Sequence, residues 1–190
     1  MQRFTRAELD SYRDTEVPDL VGPDLRLLFV GINPGLWTAA VQTHFAHPAN
    51  RFYPALYAAG IITSPISPAD GMSDDDRDHF TGRGLGLTNL VRRATARADE
   101  LSRAELREGG AALQAFVADH RPRVVAVAGI TAYRSAFAVP AAKPGRQPGT
   151  FAGAALWVVP NPSGLNAHET AASLAAAYRE PAIEAGILDR

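Results

Sequence analysis

Three short, almost unbroken apolar runs limit what this chain can fold into: residues 25–32 (LRLLFVGI), 123–128 (RVVAVA) and 154–159 (AALWVV). A strand with one wet face alternates apolar and polar residues. These runs do not, so each is expected to lie buried on both faces. Between them the pattern turns helical. Residues 50–60 carry Phe52, Leu56 and Ala59 and end at Gly60. Ser102-Arg103-Ala104-Glu105 has capping-box spacing and opens a helix to about His120, with Leu106, Leu113, Phe116 and Val117 along one stripe. A short strand at 86–90, a helix at 131–137 and a closing Ala-rich helix at about 168–185 complete the expected elements. Residues 36–49 and 138–150 read as loops, and 61–86 as loop with a short helix. Strands alternating with helices predict an α/β fold: a three-layer sandwich with a short, mainly parallel central sheet flanked by helices on both faces. In such sheets ligands sit beyond the carboxyl ends of the strands, which is where Asn33-Pro34-Gly35 and Asn161-Pro162-Ser163 fall.

The 190 residues are expected to divide into a polar lead-in, 1–24, and a single domain, 25–190. The lead-in reads as loosely ordered, with a helical turn or two, and ends at Pro18 and Pro23. With no cysteine, disulfides, thiolate nucleophiles and cysteine-held metals are excluded. No apolar run approaches the roughly 18–20 residues of a membrane span, and the first residues lack a signal-peptide core, so a cytoplasmic protein without a membrane partner is expected. The net charge of −1 hides an uneven distribution. Residues 1–24 hold three Arg against six acids, and 70–78 hold five acids against one Arg, which leaves an excess of cations on the rest of the chain. That excess fits either a basic face or an ordinary solvated surface. Eighteen of the nineteen basic residues are Arg.

Several mechanisms fail on inspection. Ser163 lies in Pro-Ser-Gly rather than a nucleophile elbow, and no phosphate-binding glycine loop is present. His44 and His47 lack further ligands at metal spacing, so neither a metal nor a cofactor is expected. Asn33 remains, at a strand end. It either caps a turn or holds a water whose proton it cannot take. The second role suits a bond that breaks largely unaided to leave a cation, as in release of a nucleobase from its sugar.

Gly31-Ile32-Asn33-Pro34-Gly35-Leu36, continuing to Phe45-Ala46-His47-Pro48-Ala49-Asn50-Arg51-Phe52, resembles the mismatch-specific uracil/thymine-DNA glycosylases, the double-strand-specific branch of the uracil-DNA glycosylase superfamily. Asn161-Pro162-Ser163-Gly164-Leu165 resembles the late loop of that family, and Gly86-Leu87-Thr88-Asn89-Leu90-Val91 and Glu108-Gly109-Gly110 are also similar. The match runs from about Leu25 to Tyr178. The resemblance implies a uracil-DNA glycosylase-like fold and a DNA-repair hydrolase acting as a monomer on double-stranded DNA with a mismatched or damaged base. It implies that Asn33 positions water, that Phe45 stacks on the flipped base, and that Gly35 lets the base approach the backbone. Thr38 would lie near pyrimidine C5, and His44 where thymine-active relatives also have histidine. Asn161 would take the place of a histidine found in other branches. The loop Ser163, Gly164, Leu165 and Asn166 would meet DNA, with Leu165 as the wedge that fills the gap left by the flipped nucleotide. Ser163 and Arg92 or Arg93 would contact phosphate.

This sequence departs from the bacterial pattern at Asn166-Ala167-His168, where Ser-Arg usually follows the leucine, so an arginine beside the wedge is missing. Asn89 stands where some bacterial members have lysine, and Trp37 has no evident role beyond packing. Two other readings stay open on the residues: a non-catalytic binder of damaged DNA, and a different α/β enzyme acting on a small nucleotide.

Overall fold

The computed structural model describes residues 3–189; Met1 and Gln2 of the lead-in, and Arg190, lie outside the described residues. The elements run α1 (Arg6–Asp10), β1 (Leu27–Gly31), α2 (Leu36–Val41), α3 (Phe52–Ala58), α4 (Asp74–Gly82), β2 (Leu85–Asn89), α5 (Arg103–His120), β3 (Val124–Ala128), α6 (Ile130–Phe137), β4 (Gly145–Arg146), β5 (Ala155–Val159) and α7 (Ala171–Glu184). The strands form one sheet in the order β2-β1-β3-β5-β4. All neighbours are parallel except β4, which runs against β5.

Every residue of β1 and β3 is buried, as their unbroken apolar runs require. Alternate side chains feed two cores. Leu27, Phe29, Val124 and Ala126 pack with Phe52, Leu56, Phe80, Leu174 and Tyr178 from α3, α4 and α7. Leu28, Val30, Val125 and Val127 pack with Leu106, Leu113, Val117 and Tyr133 from α5 and α6. The fold is therefore the three-layer α/β sandwich. Each fully buried large side chain contributes about 1.5–3 kcal/mol through water exclusion. The Ser102 capping box on α5 forms in both directions. Gly109 lets α5 close on the sheet: a Cβ there would lie 2.1 Å from the Leu90 carbonyl oxygen.

Three expectations are corrected. The 36–49 loop contains α2, whose N-cap is Gly35 and so carries no side-chain capping signal. The 138–150 loop contains β4, only two residues long and glycine-bearing. The lead-in is not loosely ordered. Its Asp14 N–H donates to the Ala94 carbonyl at 2.9 Å, and Leu20 and Leu87 exchange backbone bonds of 3.0 and 2.8 Å. Val17 is buried against Leu36, Ala39 and Ala94, with Leu9 and Tyr12 packed beside them. The acidic composition concealed this apolar seam. Among the described residues, no helix is long and apolar enough to cross a membrane.

Candidate active site

The carboxyl ends of β1, β2, β3 and β5 open onto a cleft of about 1040 Å³. At the end of β1 the turn Asn33-Pro34-Gly35 leads into α2. The Asn33 Nδ2 donates to Thr95 Oγ1 at 2.8 Å, to the Arg93 carbonyl at 3.0 Å and to the Pro34 carbonyl at 3.2 Å. Its Oδ1 has no hydrogen-bond partner among the described residues. The amide nitrogen thus ties the turn, and the carbonyl oxygen is left without a partner among the described residues in a side chain that borders the cleft. Gly35 is exposed at the cleft, and a Cβ there would meet nothing within 4 Å.

Asn89 closes β2. Its Nδ2 lies 3.2 Å from His44 Nδ1, and His44 Nε2 lies 2.9 Å from the Pro18 carbonyl. A carbonyl only accepts, so Nε2 carries the ring proton and Nδ1 accepts from Asn89. This fixes the Asn89 amide, and its Oδ1 lies over Gly31, where a Cβ would come within 2.3 Å. His44 is 3% exposed, and burial holds its pKa below the ordinary value, against the pull of the Pro18 bond. Both ring nitrogens are thus committed to the protein, although His44 borders the cleft.

Phe45 holds a left-handed backbone, φ +56°, and its ring stacks on Phe52 with centroids 4.2 Å apart and planes 24° apart. That contact braces a half-buried ring at the edge of the cleft. Thr38, on α2, is buried, lines the same cleft and accepts the Ala46 N–H at 3.4 Å.

After β5 the chain forms the second loop. The Asn161 Oδ1 accepts the Ser163 N–H at 3.1 Å, leaving the Asn161 amide nitrogen without a partner among the described residues. Ser163 Oγ accepts the Leu165 N–H at 3.3 Å. The Asn166 side chain turns inward, donating to the Asn161 carbonyl at 3.1 Å and accepting the His168 N–H at 3.4 Å. Leu165 projects outward, 88% exposed. The early loop holds this one in place: Arg51 Nη1 donates to the Ser163 and Asn166 carbonyls at 3.3 and 3.1 Å, on either side of Leu165. Gly164 packs so closely that a Cβ would lie 2.7 Å from Ala49 Cβ.

The sequence profile described as "Uracil DNA glycosylase superfamily" matches residues 18–184, most of the chain. The chain belongs to the uracil DNA glycosylase superfamily. The fold is similar to the solution NMR structure of a Methanosarcina acetivorans protein provisionally described as a uracil DNA glycosylase. The TM-score is 0.60 at 15% identity, over 88% of this chain and 97% of that one.

In this superfamily member Asn33, Gly35, Thr38, His44, Phe45, Asn161, Ser163, Gly164, Leu165 and Asn166 all border one cleft. Arg92 and Arg93 do not. Arg92 pairs with Glu16 and Asp19 at 3.3 and 3.0 Å, and Arg93 with Asp14 and Glu105 at 3.0 and 2.6 Å. Four carboxylates, three of them from the lead-in, occupy the two guanidiniums expected to be open to phosphate. The Arg93 bond and the Ser102 cap together hold the Glu105 carboxyl down to about 2. Trp37 packs, with Nε1 donating to the Ala69 carbonyl at 3.0 Å and Phe4 edge-on at 4.9 Å. Asn89, Thr95 and Arg51 were absent from the sequence-derived site. Asn89 was discoverable from its place at a strand's carboxyl end. Thr95 and Arg51 act through partners far away in sequence and gave no local signal.

Proposed function

We propose that this protein is a monofunctional DNA glycosylase. Acting as a monomer, it flips uracil mispaired with guanine out of duplex DNA and hydrolyses the N-glycosidic bond, leaving an abasic site. The observation that carries this reading is the Asn33 amide, whose carbonyl oxygen has no partner among the described residues and whose side chain borders the same cleft as Phe45 and Leu165. In the reaction the C1′–N1 bond breaks and its electron pair leaves with the base, so the sugar becomes an oxocarbenium-like cation. Asn33 Oδ1 accepts a hydrogen bond from a water and leaves one of that water's lone pairs directed at C1′. As the new C–O bond forms, the surplus proton passes to solvent. Nothing at Asn33 can act as a base, which makes the reaction slow.

The remaining polar groups suit a uracil edge. Asn89 Oδ1 accepts from an N3–H, and the free Asn161 Nδ2 donates to a carbonyl oxygen whose charge grows as the base departs. Thr38 crowds a methyl at C5, and His44 has no free nitrogen to offset that, so uracil is preferred to thymine. Among the described residues no lysine lines the cleft, so no lysine amine there traps the sugar and the strand is left unbroken. Leu165 enters the gap in the duplex, and backbone groups of its loop meet the opposite guanine, since the Asn166 side chain is turned inward.

The test is single-turnover uracil release from a G·U duplex, compared with G·T, A·U and single-stranded uracil, with abasic product read by alkaline cleavage. Release from G·U that collapses in Asn33→Ala is the expected result. Intact duplex binding with no release from any substrate would make the protein a binding module instead.

A further inference from the structure

The acceptor at Asn33 is useful only if its amide points the right way round, and an asparagine amide is nearly symmetric in shape. Turned by 180°, it would present an N–H to the water. That N–H would occupy the lone pair needed for attack, and no acceptor would be left to orient the water's protons. The Arg93 and Pro34 carbonyls, which can only accept, already favour the amide nitrogen on their side, and the shortest of the three bonds adds a third constraint on its direction.

Thr95 supplies that third constraint. It is 1% exposed, and its hydroxyl donates to the Arg97 carbonyl at 2.7 Å. With its single proton committed there, Oγ1 can only accept from Asn33, 2.8 Å away. A hydroxyl with no such commitment could donate to Oδ1 equally well and would not discriminate between the two orientations. The Thr95 backbone N–H also donates to the Pro34 carbonyl at 3.1 Å, which joins the 93–97 segment to the turn holding Asn33. The lead-in steadies that segment from outside: Asp14 N–H donates to the Ala94 carbonyl, and Ala94 N–H to the Thr15 carbonyl at 3.0 Å.

We infer that Thr95 is a positioning residue of this site, its hydroxyl polarised by the Arg97 carbonyl so that, together with the Arg93 and Pro34 carbonyls, it locks the Asn33 amide with Oδ1 toward the cleft. The inference rests on the glycosylase reading for its kinetic consequence, but the geometry of the lock does not depend on it. In this role Thr95 acts through Asn33.

The experiment uses the full chain with Thr95→Val, which keeps the shape and removes the hydroxyl, and Thr95→Ser, which keeps the hydroxyl. Thr95→Val should slow single-turnover uracil release about tenfold to a hundredfold, with duplex affinity unchanged, as expected when one buried hydrogen bond and the orientation it sets are lost. Thr95→Ser should restore most of the rate. In an Asn33→Ala background Thr95→Val should cost nothing more, because the group it orients is gone. A second readout needs no catalysis: the Asn33 side-chain NH₂ protons, followed by NMR, should exchange with solvent faster in Thr95→Val and slowly in Thr95→Ser. Wild-type release in Thr95→Val, or a loss that adds in full to that of Asn33→Ala, would overturn the inference. So would Asn33 amide signals that are the same in all three proteins. If Thr95→Val proves too unstable to assay, the amide exchange of Thr95→Ser against wild type decides: faster exchange despite the retained hydroxyl overturns the lock. Failure of the wild type to release uracil would instead sink the glycosylase reading and leave the amide experiment to judge Thr95.

Discussion

His44 and Asn89 form a directional pair: Nδ1 of the buried imidazole accepts from the Asn89 amide at 3.2 Å. The pair exists only while the ring is neutral, because a protonated imidazole has two donors and would face the amide NH₂ with another N–H. Burial lowers the His44 pKa from its ordinary 6.5. The unfolded chain therefore takes up this proton at higher pH than the folded protein does. The contribution to stability is complete above about pH 6.5 and is lost as pH falls toward the depressed folded value. Thermal melting followed from about pH 7 to pH 5 should show Tm falling, and His44→Gln should flatten that part of the curve. A variant curve parallel to wild type would place the acid sensitivity elsewhere.

Gly31 leaves no room for a side chain beneath this pair. A Cβ there would come within 2.3 Å of Asn89 Oδ1 and 3.3 Å of Phe45 Cζ. Gly31→Ala should displace Asn89, costing about 1–3 kcal/mol of stability by overpacking. It should also slow uracil release about tenfold or more through the misplaced hydrogen bond. Kinetics and denaturation on the same preparation check both. Unaltered release would mean that no base is read by Asn89.

Leu165 is free of the fold. Being 88% exposed, it can be cut to alanine with a stability change within about 0.5 kcal/mol. Release from duplex should nonetheless drop about tenfold or more, with a smaller loss on single-stranded substrate, which needs no gap filled. Equal losses on both substrates would argue against a wedge.

Arg92 and Arg93 are held by carboxylates in the free protein. Arg92→Ala should therefore leave the salt dependence of duplex affinity unchanged, whereas each lost phosphate contact would lower the slope by about 0.9. Arg93→Ala should instead lower Tm, since it unties Asp14 of the lead-in and removes the partner of Glu105 Oε1, whose other oxygen takes part in the α5 cap.

What was legible in the sequence follows from how local each signal is. The strands at 25–32, 123–128 and 154–159 announced themselves because burial on both faces leaves an uninterrupted apolar run. The Ser102 cap was legible because both partners lie within one turn. Asn33 and Asn161 could be placed because a parallel sheet puts its ligands at one end. The lead-in was misjudged because Leu9, Tyr12, Val17 and Leu20 are scattered among acids and bury a seam only against Leu36, Ala39, Ala94 and Leu87. The ion pairs of Arg92 and Arg93 were hidden for the same reason, since three of their four partners lie in that segment. Thr95 was out of reach: its bond to Asn33 spans 62 residues, and only the fold brings the two together.

The closeness of α5 to Leu90 gives the back of the sheet a hold on the front. Leu90 directly follows Asn89, and its carbonyl rests where any side chain at Gly109 would need to be. The helix therefore acts as a stop that fixes how far the end of β2 can recede, and with it how far Asn89 stands into the recess whose lining it shares with Phe45. A bulkier residue at position 109 would make that recess shallower from behind. The change would be felt as altered discrimination among bases of different size rather than as weaker adhesion to the helix that carries them.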